Sequence, residues 1–287
     1  MMRFLRPLLL FVLLLAAPGA FAKDGESRFV GLDDFLIHYK SWGKPTAPAV
    51  ILIHGFTMDQ SFWYRQVPAL AKTHRVIALD SPGHGDSGRP RDIAYTMDLY
   101  ARAVEAVAKD AGISHAVLIG HSMGLPVIHT VVRRNVLKVD KAVFLDGAIM
   151  EPPADRKARA EQEDFVSRMN QGLKGPDYTL VLEKFFESFM PKVPPKDARA
   201  IIAKVRESDQ TMVASTWEHF TDADVWAPLR SDIPVLGLYA KTSEAGVKNW
   251  LDTHYPKNKL VVWGDVDHFL QLEQPQRVNK AIAEFLK

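Results

Sequence analysis

The chain has 287 residues, of which 36 are basic and 34 are acidic, and it contains no cysteine. This nearly balanced charge gives no indication of nucleic acid as a partner, and the lack of cysteine excludes disulfides and a lipidated cysteine anchor. A chain of this length can bury roughly three-quarters of the surface that its unfolded form exposes, so we expect one well-packed domain.

The first segment has the pattern of a secretory signal peptide. Arg3 and Arg6 precede an apolar run at 8–17, and the small residues of a cleavage site follow at 20–22. Because the run is shorter than the roughly 20 residues that span a bilayer, we expect cleavage after Ala22 and no stable membrane span in the mature chain. The mature protein is then expected to be secreted, with the periplasm as its location. An uncleaved membrane anchor is the alternative.

Short apolar runs alternate with helical patterns after the leader. A strand is predicted at 35–39, after a tight turn at 33–34. Continuous apolar runs, typical of strands buried on both faces of a parallel sheet, follow at 49–53, 76–79, 116–119, 142–145, 235–239 and 260–263. Helical patterns occupy about 97–111, 123–134, 243–253 and 275–287. This alternation predicts an α/β protein with a doubly wound, mostly parallel sheet of about eight strands.

One interval, from residue 151 to about residue 229, breaks this alternation. It has no strong strand pattern and holds charged helical patterns separated by prolines. We interpret it as a helical insertion after the sixth strand, over the carboxyl edge of the sheet, where α/β proteins bind ligands. The predicted organisation is a leader at 1–22, a core formed by 23–150 and 230–287, and the insertion at 151–229.

The strongest chemical signal is the pentapeptide GHSMG at 120–124, between a predicted strand and a predicted helix. It fits G-x-S-x-G, in which the glycines allow a sharp turn that exposes a serine hydroxyl, so Ser122 is the candidate nucleophile. The pentapeptide also occurs by chance, but the strand–turn–helix context favours the catalytic interpretation. The backbone N–H groups of Met123 and of Phe56, which follows a strand ending in His-Gly, are the candidate oxyanion hole.

Among the ten histidines, His268 is the best candidate for the base. It lies between the last predicted strand and the last predicted helix, on a loop at the same sheet edge as Ser122. An imidazole there can accept the serine proton and return it to a leaving group. We interpret His84 as a loop-shaping residue and His129 as a packed one.

Four segments together resemble the α/β-hydrolase family, in its capped esterase, dehalogenase and epoxide hydrolase branch. They are HGFTMDQSFW (54–63), RVIALDSPGHGDS (75–87), GHSMG (120–124) and GDVDHFLQLEQP (264–275). The resemblance extends over nearly all of residues 28–287. It implies that Ser122 is the nucleophile, that His268 is the base and that the insertion is a cap.

The chain departs from the common family pattern at the acid. In most such enzymes the acid follows the strand that reads PVLGLYA here, but Ser243 occupies that position and Glu244 comes one residue later. Some relatives carry the acid after the strand that follows the nucleophile helix, and that position is Asp146. The resemblance therefore implies Asp146 as the acid and Glu244 as the alternative. A role of Asp146 in capping a turn beside Gly147 is the non-catalytic alternative.

The expected function is hydrolysis of a small or medium carboxylic ester through an acyl-enzyme intermediate. A lactonase, an amidase or a carbon–carbon bond hydrolase would use the same triad, and a weakly catalytic ligand-binding protein is the alternative from another class. A G-x-G-x-x-G match at 83–88 is followed by a loop-like sequence, which disfavours nucleotide binding. We expect a small-molecule substrate and neither a cofactor nor a metal, and the sequence sets no oligomeric state.

Overall fold

A computed structural model describes residues 24–243 and 246–287 of the chain. The predicted leader at 1–22 and the alternative acid Glu244 lie outside the described residues. Within the described ranges, no helix is both long enough and apolar enough to cross a membrane.

Eight strands of the described chain form one sheet. They are β1 (Glu26–Leu32), β2 (Phe35–Trp42), β3 (Ala49–Ile53), β4 (Arg75–Leu79), β5 (His115–His121), β6 (Lys138–Leu145), β7 (Val235–Ala240) and β8 (Asn258–Trp263). Their order across the sheet is β1-β2-β4-β3-β5-β6-β7-β8. Strands β3 to β8 are parallel, whereas β2 is antiparallel to both β1 and β4. The predicted doubly wound, mostly parallel sheet is confirmed.

Most helices of the described chain lie between strands along the chain, with a group of four between β6 and β7, and the last two follow β8. They are α1 (Val67–Leu70), α2 (Met97–Asp110), α3 (Gly124–Arg134), α4 (Arg156–Lys174), α5 (Tyr178–Glu187), α6 (Pro195–Glu207), α7 (Gln210–Glu218), α8 (Val247–His254), α9 (Leu270–Glu273) and α10 (Pro275–Leu286). Local sequence explains their bounds. Thr96 caps α2 by accepting a hydrogen bond from Leu99 N–H, and Asn135 ends α3 in the left-handed conformation.

The buried runs of the central strands are apolar because the sheet is covered on both faces. In β3, Ile51 and Ile53 belong to the hydrophobic layer that contains residues of α2 and α3. Val50 and Leu52 belong to the opposite layer, which contains residues of α10. Successive side chains of a strand point to opposite faces, so a run without polar residues is required when neither face meets water.

Strand β1 is not predicted by the sequence analysis. It lies at the edge of the sheet, most of its residues are exposed, and charged residues such as Glu26 and Arg28 interrupt its apolar pattern. An edge strand of this kind gives only a weak hydrophobic signal. The predicted tight turn that joins it to β2 is present, with Asp33 at φ = +50°.

The interval between β6 and β7 contains α4 to α7, and no strand is found between residues 146 and 234. Helix α4 packs against α5 and α7, and α5 packs against α6. Asp155 and Asp209 cap α4 and α7 through their carboxylates. This segment is the helical insertion expected after the sixth strand.

Several polar contacts connect the insertion to the core, and two groups of them lie at α6 and at the two ends of the insertion. Asp197 of α6 accepts hydrogen bonds from Tyr64 Oη at 2.7 Å and from Arg65 Nη2 at 2.6 Å. His254 at the end of α8 contacts both ends of the predicted insertion, because its Nδ1 lies 2.9 Å from Leu229 O and its Nε2 lies 3.3 Å from Glu151 Oε2. The insertion therefore begins and ends at the same point of the core.

Candidate active site

Ser122 lies on a strained turn between β5 and α3. Its φ is +53°, a value that residues with a side chain rarely adopt. Two glycines make the turn possible, since a Cβ on Gly120 would lie 2.7 Å from the backbone of Gly124 and a Cβ on Gly124 would lie 2.6 Å from Ile53 O. The backbone N–H of Ser122 donates to Leu145 O at 3.1 Å. The turn is therefore fixed against the end of the neighbouring strand β6.

Asp146 is the first residue after β6, and it is only 3% exposed. Its carboxylate accepts three hydrogen bonds, from Ala240 N–H at 2.9 Å, from Ser243 Oγ at 2.9 Å and from His268 Nδ1 at 2.6 Å. Burial of an ionised carboxylate is costly unless donors of this kind replace water. Asp146 is thus held as an acceptor at the edge of the sheet.

His268 lies on the loop between β8 and α9, where the sequence places it. Because its Nδ1 donates to Asp146, the neutral ring has its free lone pair on Nε2. The rings of His121 and Phe189 flank it, with centroids at 4.7 Å and 5.2 Å. His121 Nε2 also donates to the backbone oxygen of His268 at 2.9 Å.

The insertion fixes the loop that carries His268. The carboxylate of Asp267 accepts one hydrogen bond from Lys192 N–H at 3.0 Å and one from Lys192 Nζ at 3.1 Å. Asp267 N–H in turn donates to Glu273 Oε2 at 2.8 Å. These contacts hold the residue next to the imidazole from two sides.

The sequence analysis does not predict the role of Ser243. This residue occupies the position of the acid in most relatives, yet here its hydroxyl donates to the carboxylate of Asp146. The exchange of an acid for a hydroxyl donor, together with an aspartate after β6, is the sequence signal for this arrangement. Glu244 lies outside the described residues, so the structure leaves the alternative acid as a prediction.

Phe56 and Met123 line the same cavity as Ser122, Asp146 and His268. Within the described ranges, neither the N–H of Phe56 nor that of Met123 donates a hydrogen bond to the protein. Close packing keeps the backbone of Phe56 near the serine, because a Cβ on Gly55 would lie 3.2 Å from Ser122 Cβ. The residues singled out from the sequence, apart from Glu244, therefore meet at one cavity.

The cavity has a volume of about 290 Å³ and lies between the sheet edge and the insertion. Seven aromatic side chains line it, and we call them the aromatic cluster: Phe56, Phe165, Phe185, Phe186, Phe189, Trp217 and Phe220. Only Phe56 comes from the core. The described residues that line the cavity include no lysine or arginine.

A second Ser–His–Asp arrangement is present at the other side of the sheet. Ser27 Oγ lies 2.8 Å from His38 Nε2, and His38 Nδ1 lies 2.7 Å from Asp80 Oδ2. Asp80 also accepts hydrogen bonds from Gln60 N–H and Asp86 N–H. The imidazole is only 1% exposed and Ser27 lies on the edge strand β1 without the strained turn of Ser122. We interpret this group as a structural connection between β1, β2 and the end of β4.

The region around Asp80 contains one group of possible metal ligands and the G-x-G-x-x-G match at 83–88. His38, Asp80 and Asp86 have ligand atoms within 4.8 Å of one another, but the carboxylate of Asp80 is already used by the imidazole and by backbone N–H groups. Residues 83–88 form a loop, and the next helix begins only at Met97. A dinucleotide motif requires a helix directly after its glycines, so this match does not carry that function.

Three buried histidines, one at the end of β5 and two in the loops after β3 and β4, are held neutral. Burial, and secondarily the neighbouring His54, lowers the pKa of His84 to about 3. Burial also lowers the pKa of His54, and it lowers the pKa of His121 well below its usual value. His84 donates from Nδ1 to Pro82 O at 2.9 Å, which agrees with its predicted loop-shaping role. His129 is packed in α3 as predicted, with Nδ1 at 2.9 Å from Tyr255 Oη.

The sheet order and the serine turn define a class, the hydrolases of the α/β type. The chain belongs to the α/β-hydrolase family, since the family described as "alpha/beta hydrolase fold" matches residues 48–287.

Proteins of known activity are similar over almost their whole length. The chain is 24% identical to (E)-2-((N-methylformamido)methylene)succinate hydrolase of Acinetobacter baylyi, over 87% of this chain and 94% of that protein. It is 25% identical to a bifunctional esterase/perhydrolase of Acinetobacter calcoaceticus, over 88% of this chain and 96% of that protein. A bromoperoxidase from Bacillus anthracis has the same fold, with a TM-score of 0.80, 20% identity and coverage of 91% and 99% of the two chains. The family and these relatives support hydrolase activity.

The neutral histidines predict a loss of stability in mild acid. In the unfolded chain a histidine takes up a proton below about pH 6.5, whereas His84 in the folded chain stays neutral to about pH 3. The unfolded state therefore binds more protons over this interval, and the free energy of unfolding falls as the pH drops. We expect a decrease of about 2 kcal/mol from His84 between pH 7.5 and pH 5. Urea unfolding at both pH values measures it, and the decrease should be smaller in His84→Gln. An unchanged pH dependence in that variant would contradict the assignment.

Proposed function

We propose that the protein is a serine hydrolase that cleaves a small or medium carboxylic ester through an acyl-enzyme intermediate. The observation that carries the proposal is the convergence of three side chains at one cavity: Ser122 on a strained turn, and His268 hydrogen-bonded to the buried Asp146. A hydroxyl, an imidazole and a carboxylate with these relations are the parts of nucleophilic acyl transfer.

In the first half-reaction, Ser122 Oγ attacks the carbonyl carbon of the ester while His268 Nε2 accepts its proton. The carbonyl oxygen becomes an oxyanion, for which the N–H groups of Phe56 and Met123 are the proposed donors. When the tetrahedral intermediate collapses, the bond to the alcohol oxygen breaks and His268 returns the proton to that oxygen. Water then attacks the carbonyl carbon of the acyl-enzyme while His268 Nε2 accepts its proton. When this second intermediate collapses, His268 returns the proton to Ser122 Oγ, and the carboxylic acid is released.

Asp146 is the proposed acid of this triad. Its hydrogen bond to Nδ1 fixes the tautomer in which Nε2 can act as a base, and its charge stabilises the imidazolium that forms. The donors Ala240 and Ser243 fix the carboxylate in place. A weakly catalytic binding protein is the alternative, because Ser243 occupies the usual position of the acid. The contact of Asp146 with the imidazole favours the enzyme over this alternative.

A serine at the nucleophile position favours ester chemistry. The epoxide hydrolases and dehalogenases that the chain resembles start from a carboxylate at that position, and a serine cannot take the same role. The similarity to the esterase/perhydrolase of Acinetobacter calcoaceticus also supports an ester substrate. Lactones, amides and carbon–carbon bonds beside a ketone remain substrates that the same triad can attack.

The insertion at 151–229 is the proposed cap of this site. It supplies six of the seven rings of the aromatic cluster and the lysine that holds the loop of His268. A cap of this kind excludes water and shapes the cavity around the substrate. We also propose that the protein is exported and cleaved after Ala22. This part of the proposal rests on the leader pattern alone.

Labelling with a fluorophosphonate tests the proposal. We expect stoichiometric modification on Ser122, located by peptide mass spectrometry, together with hydrolysis of p-nitrophenyl esters. In Ser122→Ala we expect no label and a loss of at least about 10⁴-fold in turnover.

Ser27→Ala is the matched control, since Ser27 is the other serine beside a His–Asp pair. It should retain full labelling and activity. A folded wild-type protein that takes up no label would contradict the proposal, as would a label on Ser27.

Asp146→Asn tests the identity of the acid. An amide can hold the wrong tautomer of His268, so we expect kcat to fall by about 10³–10⁴-fold while circular dichroism and thermal unfolding still report a folded protein. Glu244→Gln should stay within a few-fold of wild type.

Asp140→Asn is the control at the other end of the same strand, where Asp140 Oδ2 lies 2.5 Å from His115 Nδ1. It should not change kcat. Near-normal turnover in Asp146→Asn combined with a large loss in Glu244→Gln would assign the acid to Glu244 instead.

A further inference from the structure

We propose that the cavity selects neutral esters whose acyl part carries an aromatic ring, and that it rejects substrates with a second, ionised carboxylate. This inference rests on the proposed function, because it concerns the substrate of the same serine. It follows from the size of the cavity, from the arrangement of its rings and from the absence of a cation among its described lining residues.

The size of the cavity suits one ring with a short linker. An apolar protein cavity of about 150 Å³ holds one benzene molecule. The cavity beside Ser122 is about 290 Å³, which leaves room for a ring, two or three further carbons and the ester group.

Four rings of the aromatic cluster form a series of edge contacts, in the order Phe189, Phe185, Trp217 and Phe165. Phe185 meets Phe189 and Trp217 at centroid distances of 4.9 Å and 5.4 Å, with interplanar angles of 80° and 83°. Phe165 meets Trp217 at 5.8 Å and 76°. Aromatic rings prefer such edge-to-face arrangements, and an aromatic substrate ring can extend the series in a way that a saturated ring of equal size cannot.

More rings of the aromatic cluster surround Trp217 than His268. Trp217 has the rings of Phe56, Phe165, Phe185 and Phe220 within 6.2 Å, and Phe56 is the residue whose N–H is proposed to bind the oxyanion. His268, which protonates the leaving alcohol, has only Phe189 of the cluster within 5.2 Å. The substrate ring therefore belongs to the acyl part rather than to the alcohol.

The cavity offers no partner for a substrate charge. Its described lining has no lysine or arginine, and the carboxylate of Asp146 is already paired. The other polar side chains are also in use, since Thr216 Oγ1 lies 2.5 Å from Tyr100 Oη and Ser243 donates to Asp146. An ionised carboxylate that enters would lose its water without gaining a cation. The chain thus differs from its relative of Acinetobacter baylyi, whose name gives a succinate as substrate.

Steady-state kinetics on four methyl esters and one isomer test the inference. We expect kcat/KM for methyl 3-phenylpropanoate to exceed that for methyl 3-cyclohexylpropanoate by about 3–10-fold. It should also exceed the value for 2-phenylethyl acetate, the isomer that carries the ring on the alcohol. At pH 7.5, kcat/KM for dimethyl succinate should exceed kcat/KM for monomethyl succinate by at least about 100-fold.

Variants of Phe185, which is half-buried, connect these preferences to the cluster. Phe185→Leu should reduce the preference for the phenyl over the cyclohexyl ester to about twofold or less. Phe185→Arg supplies a cation, so it should reduce the ratio of kcat/KM for dimethyl succinate to kcat/KM for monomethyl succinate by about 10-fold. Phe29→Leu is the control, an exposed ring on β1 away from the cavity, and it should leave both ratios unchanged.

The outcomes separate this inference from the proposed function. Labelling of Ser122 with hydrolysis of all five esters at similar rates would overturn the inference alone, as would a preference for 2-phenylethyl acetate or for monomethyl succinate. A protein that neither takes the label nor cleaves any ester would overturn the proposed function, and the inference with it.

Discussion

The hydrogen bond between His268 Nδ1 and the buried carboxylate of Asp146 joins segments that are 122 residues apart in the chain. A carboxylate with 3% exposure requires donors, and it receives them from the end of β7, from the turn at Ser243 and from the loop before α9. The same residue directly follows Leu145, whose oxygen accepts the N–H of Ser122. The parallel pairing of β5 with β6 therefore fixes the hydroxyl and the carboxylate relative to each other before any substrate is present.

The two parts of the chain contribute different properties to the cavity. The core supplies the proposed reacting groups Ser122, Asp146 and His268, all at the carboxyl edge of the sheet, where strands end and loops can present side chains. The insertion supplies nearly all of the aromatic surface and no ionised group to the lining. Reactivity is thus a property of the sheet edge, and selectivity is a property of the insertion. The contacts of His254 with both ends of the insertion, and of Lys192 with Asp267, fix the position of the insertion relative to the core.

The sequence predicts the parts of this structure that depend on strong local patterns. Apolar runs mark the buried strands, and the loop of His268 follows the last of these runs. The turn of Ser122 is marked by glycines at positions where a side chain would clash. Strand β1 is missed because an exposed edge strand needs few apolar residues. The hydroxyl contact of Ser243 and the ring series around Trp217 depend on which distant segments meet, and no local pattern encodes that. The sequence could therefore suggest a serine triad but not the chemistry of the substrate.

The central claim is that a strong hydrogen bond joins His268 to Asp146, and proton NMR measures it most directly. A proton shared between Nδ1 and a buried carboxylate gives a resonance far downfield of the amide region. We expect this resonance in the wild-type protein and in Ser122→Ala, and we expect it to disappear in Asp146→Asn and in His268→Gln. His38 Nδ1, which lies 2.7 Å from the buried Asp80, can give a second downfield resonance, and His38→Gln identifies it. A folded wild-type protein without the His268 resonance, or the loss of no downfield resonance in Asp146→Asn, would contradict the account.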